Sequence, residues 1–207
     1  DEMADMPTVL RKLKESALYS RQDIISVVQD KNVIIFKSFK ADTNSLCHYK
    51  ETIAESIASC KNYLDMAGCS YQYLIGTFQD RFEKYRVGYQ HCMWMRDRVR
   101  EQVGFFYEHV NEYMKALVAM VEYRDIYGVY GQLLDEKGKE NILEVVDSLQ
   151  RNNYNFNASS KELYIHKNTL VFRFNKIREL LGVNPMQQVA DREFLEYLHY
   201  FIKNNRP

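Results

Sequence analysis

The feature that most constrains this chain is a change of period near Tyr123. Before it, β-branched runs alternate with apolar residues spaced three and four apart. Beyond it only the helical spacing continues. With 207 residues, there is room for two small domains, each burying its own core.

The opening segment TVLRKLKESAL sets Val9, Leu10, Leu13 and Leu18 at helical spacing. DIISVVQDKNVIIFKSF places two β-branched runs around the polar turn QDKN, which predicts a hairpin. Leu46, Tyr49, Ile53, Ile57, Cys60 and Leu64 form an amphipathic helical stripe, with Ser45 as cap and Gly68 past its end. SYQYLIGTF alternates and reads as a strand. The next helix is expected to turn Phe82, Tyr85, Tyr89 and Cys92 inward behind an Asp80 cap. VGFFY follows as a short strand, then a helix with Val110, Met114, Leu117 and Val121 on one side.

The expected fold is therefore an α+β domain, a small mostly antiparallel sheet with helices, followed by an all-α helix-turn-helix domain. The boundaries are set at 1–123 for the α+β domain, 124–138 for a helical linker and 139–207 for the last domain, with the polar break DEKGKE at the junction.

Lysine plus arginine equals aspartate plus glutamate, 28 against 28. That excludes a protein that coats nucleic acid through a general positive field, and leaves open a local basic face. The four cysteines, Cys47, Cys60, Cys69 and Cys92, lack CxxC or zinc-finger spacing, so free thiols in a reducing cytoplasm are expected and no metal site. No apolar run is long enough to cross a bilayer, and the acidic start DEMADMPTVL is no signal peptide. A start without methionine suggests a piece of a longer protein.

The chemistry-bearing stretch is NFNASSKELYIHKNTLVFRFNKIRELLG, residues 155–182. Asn157 is expected to cap a short helix, with Ser160 small where a second helix approaches and Ile165 in the turn. Leu170, Phe174 and Ile177 point inward from a longer helix, which Gly182 stops. Short helix, tight turn and long helix form the helix-turn-helix pattern. Within Lys161–Arg178, five cations stand against Glu162 alone, a local charge of +4 in a neutral chain. Lys167, Asn168 and Thr169 open the second helix, where free N–H groups favour phosphate, and Arg173 lies one turn beyond Thr169. Asparagine can read adenine, and cationic side chains can read guanine or hold phosphate. On periodicity and charge alone, a solvated basic surface and a capping Asn168-Thr169 pair account for the pattern equally well.

At these residues the chain resembles the PucR/CdaR-type transcription regulators of purine and sugar-diacid catabolism. IHKNTLVFRFNKI follows that family's pattern, close to I-H-R-N-T-L-x-Y-R-L-x-x-I. The module is also similar to the DNA-binding end of the factor-for-inversion-stimulation proteins. The resemblance implies a DNA-binding regulator whose partner is double-stranded operator DNA. The candidate DNA-contacting residues are Asn157, Ser159, His166, Lys167, Asn168, Thr169, Arg173 and Lys176. Three positions depart from the pattern: Val171 where a basic residue is common, Phe172 for tyrosine, and Lys167 for arginine.

Residues 8–121 resemble the same family's middle domain, similar in fold to GGDEF nucleotide cyclases, in element order and in IGTFQDRFEKYRVGYQHC. QDKN stands where a cyclase carries its glycine and acidic pairs, so cyclase activity is not expected. The family further implies a homodimer and an N-terminal sensor domain for the inducer, missing from this stretch.

No P-loop, Rossmann or GxSxG pattern occurs. His91-Cys92 reads as a buried thiol beside a surface imidazole, and Asp42 with Glu51 as an unfixed pair. Tyr63, Tyr71, Tyr73, Tyr85 and Tyr89 read as core edge rather than as a ligand pocket. The cluster Met93-Trp94-Met95 is a candidate dimer surface, with exposed and buried readings both open. The expectation is a cytoplasmic, non-enzymatic protein without cofactor, metal or membrane partner. Its alternative is a small-molecule-binding or dimerisation module without direct DNA contact.

Overall fold

The computed structural model describes residues 5–16, 19–28, 32–38, 49–79 and 81–205. They fall into two compact units, 1–110 and 111–207.

The first unit opens with helix α1 (Met6–Lys14), whose N-terminus is capped by Asp5 accepting from the Thr8 N–H at 3.1 Å. It buries Val9 and Leu13, two of the expected positions, and leaves Leu10 half-buried. Strands β1 (Ile24–Val28) and β2 (Asn32–Phe36) pair antiparallel, with Ile24 opposite Phe36. This is the expected hairpin; turn residues 29–31 lie outside the described residues. The buried Asp23 carboxylate ties its base, accepting from Lys37 Nζ and the Ser38 N–H, each at 2.8 Å.

Helix α2 (Tyr49–Met66) buries Tyr49, Ile53, Ile57, Cys60 and Leu64, the stripe read from spacing. Gly68 ends it at φ +65°. Leu46, the expected Ser45 cap, Asp42 and Cys47 lie outside the described residues, as does the expected Asp80 cap.

Strand β3 (Tyr73–Ile75) returns through a 3-10 turn (Phe82–Lys84) and helix α3 (Tyr85–Arg96) to β4 (Val103–Phe105), its parallel partner. A parallel pair requires such a crossover. The described strands thus form two two-stranded sheets, one antiparallel and one parallel, instead of one mostly antiparallel sheet.

Helix α3 corrects the expected stripe. His91 and Met95 are buried, whereas Phe82 and Tyr89 are exposed. The cause is Gly76: a Cβ built there would stand 2.6 Å from the Gly88 carbonyl oxygen. Without a side chain there, helix and strand end approach closely, which fixes the rotation of α3. His91 is accordingly no surface imidazole; it stacks on Phe106 with ring centroids 3.8 Å apart, its Nδ1 3.1 Å from Thr77 Oγ1. The Met93-Trp94-Met95 cluster divides: Met95 is fully buried and Trp94 carries the Arg98 guanidinium over its ring.

The second unit is helical throughout: α4 (Val110–Leu117), α5 (Met120–Leu133), α6 (Glu136–Arg151), α7 (Phe156–Glu162), α8 (Lys167–Leu181) and α9 (Val189–Asn204). The helix expected to carry Val110, Met114, Leu117 and Val121 on one side breaks in two after Leu117. Met114 and Leu117 are exposed, as is Val121 on the separate helix that follows, Val110 is half-buried, and Lys115 is buried, its ammonium 3.6 Å from Glu196 and over the Tyr197 ring. The long aliphatic stem and the paired charge make such burial tolerable. In the stretch assigned to a linker, α5 contributes Tyr127, with Tyr123 just before and Leu134 at its end, to the unit's core. Its other side exposes Ile126, Val129 and Leu133.

Candidate nucleic-acid interface

Three local devices fold the α6–α8 segment. Helix α6 starts at Asp135, whose side chain accepts from the Gly138 N–H at 2.7 Å, and ends where Asn153 and Tyr154 take positive φ. The Tyr154 N–H reaches back to the Leu149 carbonyl at 2.7 Å, closing the helix. Helix α7 is capped by Asn155, its side chain accepting from the Asn157 and Ala158 N–H groups at 3.0 and 3.2 Å. The expected cap, Asn157, instead lies exposed in the first turn.

Tyr164 ends α7 in the left-handed region at φ +54°. Its N–H donates to Lys161 at 3.2 Å, and the Ile165 N–H donates to Ser160 at 3.0 Å. This is the Schellman closure, with tyrosine where glycine is usual. Helix α8 follows at once, capped by His166 Nδ1, which accepts from the Asn168 N–H at 3.2 Å.

The inner side of α8 is the expected one: Leu170, Phe174 and Ile177 are buried. They join Ile142, Val145, Val146 and Leu149 of α6 and Leu195 and Leu198 of α9 in one core. Phe156 meets Phe174 edge to face, ring centroids 5.3 Å apart. Helix α7 closes on α6 through two serines, Ser148 and Ser159, both fully buried. The small residue expected at this close approach was Ser160; Ser159 faces α6 instead, while the Ser160 hydroxyl donates to Asn157 within its own helix.

The acidic residue of the basic stretch is turned toward α6 at the surface. Glu162 accepts from Ser148, Arg151 and Asn152. Burial raises its carboxyl pKa, and those hydrogen bonds outweigh it, so the net shift is downward. Arg173 is also turned aside. Its Nε donates to Asn141, its guanidinium pairs with Glu144, and Asn141 donates in turn to the Arg173 carbonyl at 3.2 Å. Arg173 braces α8 against α6.

Of the eight candidate residues, the structure gathers Asn168, Thr169 and Lys176 on the exposed side of α8, with Lys167 exposed at its first position and His166 at its cap. Ser159 is withdrawn into the α6–α7 contact, and Asn157 stands at the exposed start of α7. Two residues outside the candidate set share the exposed side. Phe172 is 59% exposed with Lys176 Nζ 4.8 Å above its ring, and Tyr164 in the turn is 96% exposed. The angle around the helix could have found the first: Asn168 and Phe172 are one turn apart, opposite Leu170 and Ile177. The same angle sets Arg173 on the flank.

The arrangement offers hydrogen-bonding and cationic groups at a helix N-terminus, docked by a rigid core. Elsewhere, the Cys92 thiol donates to the Leu74 carbonyl at 3.3 Å, and burial pushes its pKa up to about 11. That is the opposite of an activated nucleophile. Among the described residues no group of three or more His, Cys, Asp or Glu is placed to hold a metal, and no helix is long and apolar enough to cross a membrane.

No curated protein and no solved structure matches the chain. The family model of the PucR C-terminal helix-turn-helix domain matches residues 142–192, from within α6 to the start of α9. The short helix, the left-handed turn and the outward-facing second helix all lie inside that stretch, and the chain carries a PucR-type helix-turn-helix domain.

Proposed function

We propose that this chain is a DNA-binding transcription regulator that lays α8 in the major groove of an operator duplex. One observation carries the reading: Asn168, Thr169 and Lys176 share the solvent side of a helix whose other side is locked in a core, and Lys167 is exposed at its first position. Lys167 and the N-terminal amides of α8 hold phosphate, while Asn168 and Thr169 reach base edges. A PucR-type domain at this position supports it.

The finer parts rest on family analogy. They are control of sugar-diacid or purine catabolism genes, a GGDEF-like but catalytically empty domain ahead of the helical unit, and a sensor domain that binds the inducer. A cytoplasmic, non-enzymatic protein acting as a homodimer completes the proposal. A single module touches few phosphates, and two modules on half-sites about 34 Å apart combine their contacts.

The alternative, a small-molecule-binding or dimerisation module without DNA contact, is favoured by the exposed Ile126, Val129 and Leu133 on α5. The two readings part on one experiment. Fluorescence anisotropy with a pool of random-sequence duplexes, repeated across salt concentrations, is expected to show affinity falling steeply with salt. Lys167→Ala with Lys176→Ala should lower the slope of log K against log salt by about 0.9 per lost phosphate contact. No salt-dependent affinity for any duplex sinks the DNA reading and leaves the alternative.

A further inference from the structure

We propose that Phe172 is a specificity-determining residue whose ring meets the C5-methyl of a thymine in the major groove. This rests on the DNA-binding reading above and adds one contact to it.

Phe172 is the sixth residue of α8, one turn after Asn168 and one turn before Lys176, at the centre of the side opposite the core. Its 59% exposure leaves most of a phenyl ring in water, on a helix that buries Leu170 and Phe174 beside it. A ring so placed gains nothing for the fold, whereas a partner that covers it gains apolar burial. Its surroundings select the partner. Asn168, Thr169 and Lys176 are exposed around it, and Lys161 and Lys167 are exposed near the helix start. Among the described residues no carboxylate pairs with these three lysines. An exposed phenyl among polar and charged groups, Glu179 one turn beyond Lys176 included, is too small for a protein-docking patch. It matches a major-groove floor, where the thymine methyl is the apolar group displayed among hydrogen-bonding edges. Lys176 Nζ, 4.8 Å over the ring, keeps the phenyl oriented and brings positive charge to the adjoining phosphates.

The test starts from the duplex that the full chain enriches from a random-sequence pool. Each thymine of that duplex is replaced singly by uracil, which deletes only the C5-methyl, and affinities are measured for wild type and Phe172→Ala. One replacement is expected to weaken the wild type about fourfold, the worth of one buried methyl-sized group. The same replacement should leave Phe172→Ala unchanged, while the variant keeps the wild-type salt slope as proof that it folds and grips phosphate. Indifference of the wild type to every uracil overturns the proposal, whatever the variant does. Equal losses in wild type and variant overturn it too, since the methyl then meets another residue. Should no duplex be enriched and none bind, the DNA reading falls and Phe172 falls with it; enrichment without uracil sensitivity removes Phe172 alone.

Discussion

Ser148 and Ser159 face each other across the α6–α7 contact, and the Ser148 hydroxyl donates its proton to Glu162 at 2.9 Å. The Ser159 hydroxyl donates to the Ser148 carbonyl at 3.2 Å, and the Ser148 hydroxyl lies 3.4 Å from the Ser159 carbonyl. Both side chains are fully buried, so the helices approach as closely as two hydroxymethyl groups allow. Ser159→Ala is expected to cost about 1 kcal/mol, the worth of one hydrogen bond. Ser159→Val should cost roughly 1–3 kcal/mol more by overpacking. Urea unfolding of both variants checks this; a valine variant as stable as wild type would show that the contact is not tight.

Arg173→Ala is expected to act on stability more than on DNA reading. The side chain is held by Asn141 and Glu144, and its removal frees both. The pair is partly exposed, so the loss should be about 1 kcal/mol. Lys176→Ala should leave the unfolding midpoint in place and lower the salt slope. A large fall in DNA affinity for Arg173→Ala at unchanged stability would return that residue to the groove.

His199 predicts an acid-sensitive second unit. Burial lowers its imidazole pKa to about 4; Asp147, with a carboxylate oxygen 3.7 Å from Nε2, opposes the shift, and Lys203 and Lys115 add to it. The unfolded chain takes its proton near the ordinary histidine value of about 6.5, the folded unit only near 4. Stability is therefore full above about 6.5, declines as pH falls, and levels off below the folded pKa after a loss of about 3 kcal/mol. Unfolding midpoints of wild type and His199→Gln between those limits should converge as pH falls. Parallel curves would mean that His199 titrates normally.

Tyr164→Gly should stabilise the unit. A non-glycine residue in the left-handed region costs roughly 1–2 kcal/mol, and glycine returns about 0.5–1 of this through its freer unfolded chain. With the ring 96% exposed no packing is lost, so the net gain is expected near 0.5–1 kcal/mol. Thermal unfolding measures it directly; a lower Tm would reveal a contact of the tyrosine ring with the protein.

Much of this architecture is legible in the sequence where one periodic stripe meets one neighbour. The α2 stripe from Tyr49 to Leu64 and the α8 set Leu170, Phe174 and Ile177 are such cases. Legibility fails where a helix contacts more than one neighbour or where backbone approach sets its rotation. On α3 the missing side chain at Gly76 lets the backbone at Gly88 approach, a relation between positions twelve apart that periodicity does not carry. On α4 the stem of Lys115 takes a place that hydropathy assigns to Met114. In the candidate interface, spacing puts Asn168 and Thr169 at the start of the second helix, and both are exposed there. Spacing does not show the ties of Arg173 to Asn141 and Glu144, because these lie some thirty residues upstream, in a helix whose facing side only the fold defines.

The brace from Arg173 to α6, with the serine pair beneath α7, leaves the second helix of the motif no independent hinge. On the DNA-binding reading proposed above, an effector would then act as a positioning device, carrying an unyielding reading head toward or away from its half-site.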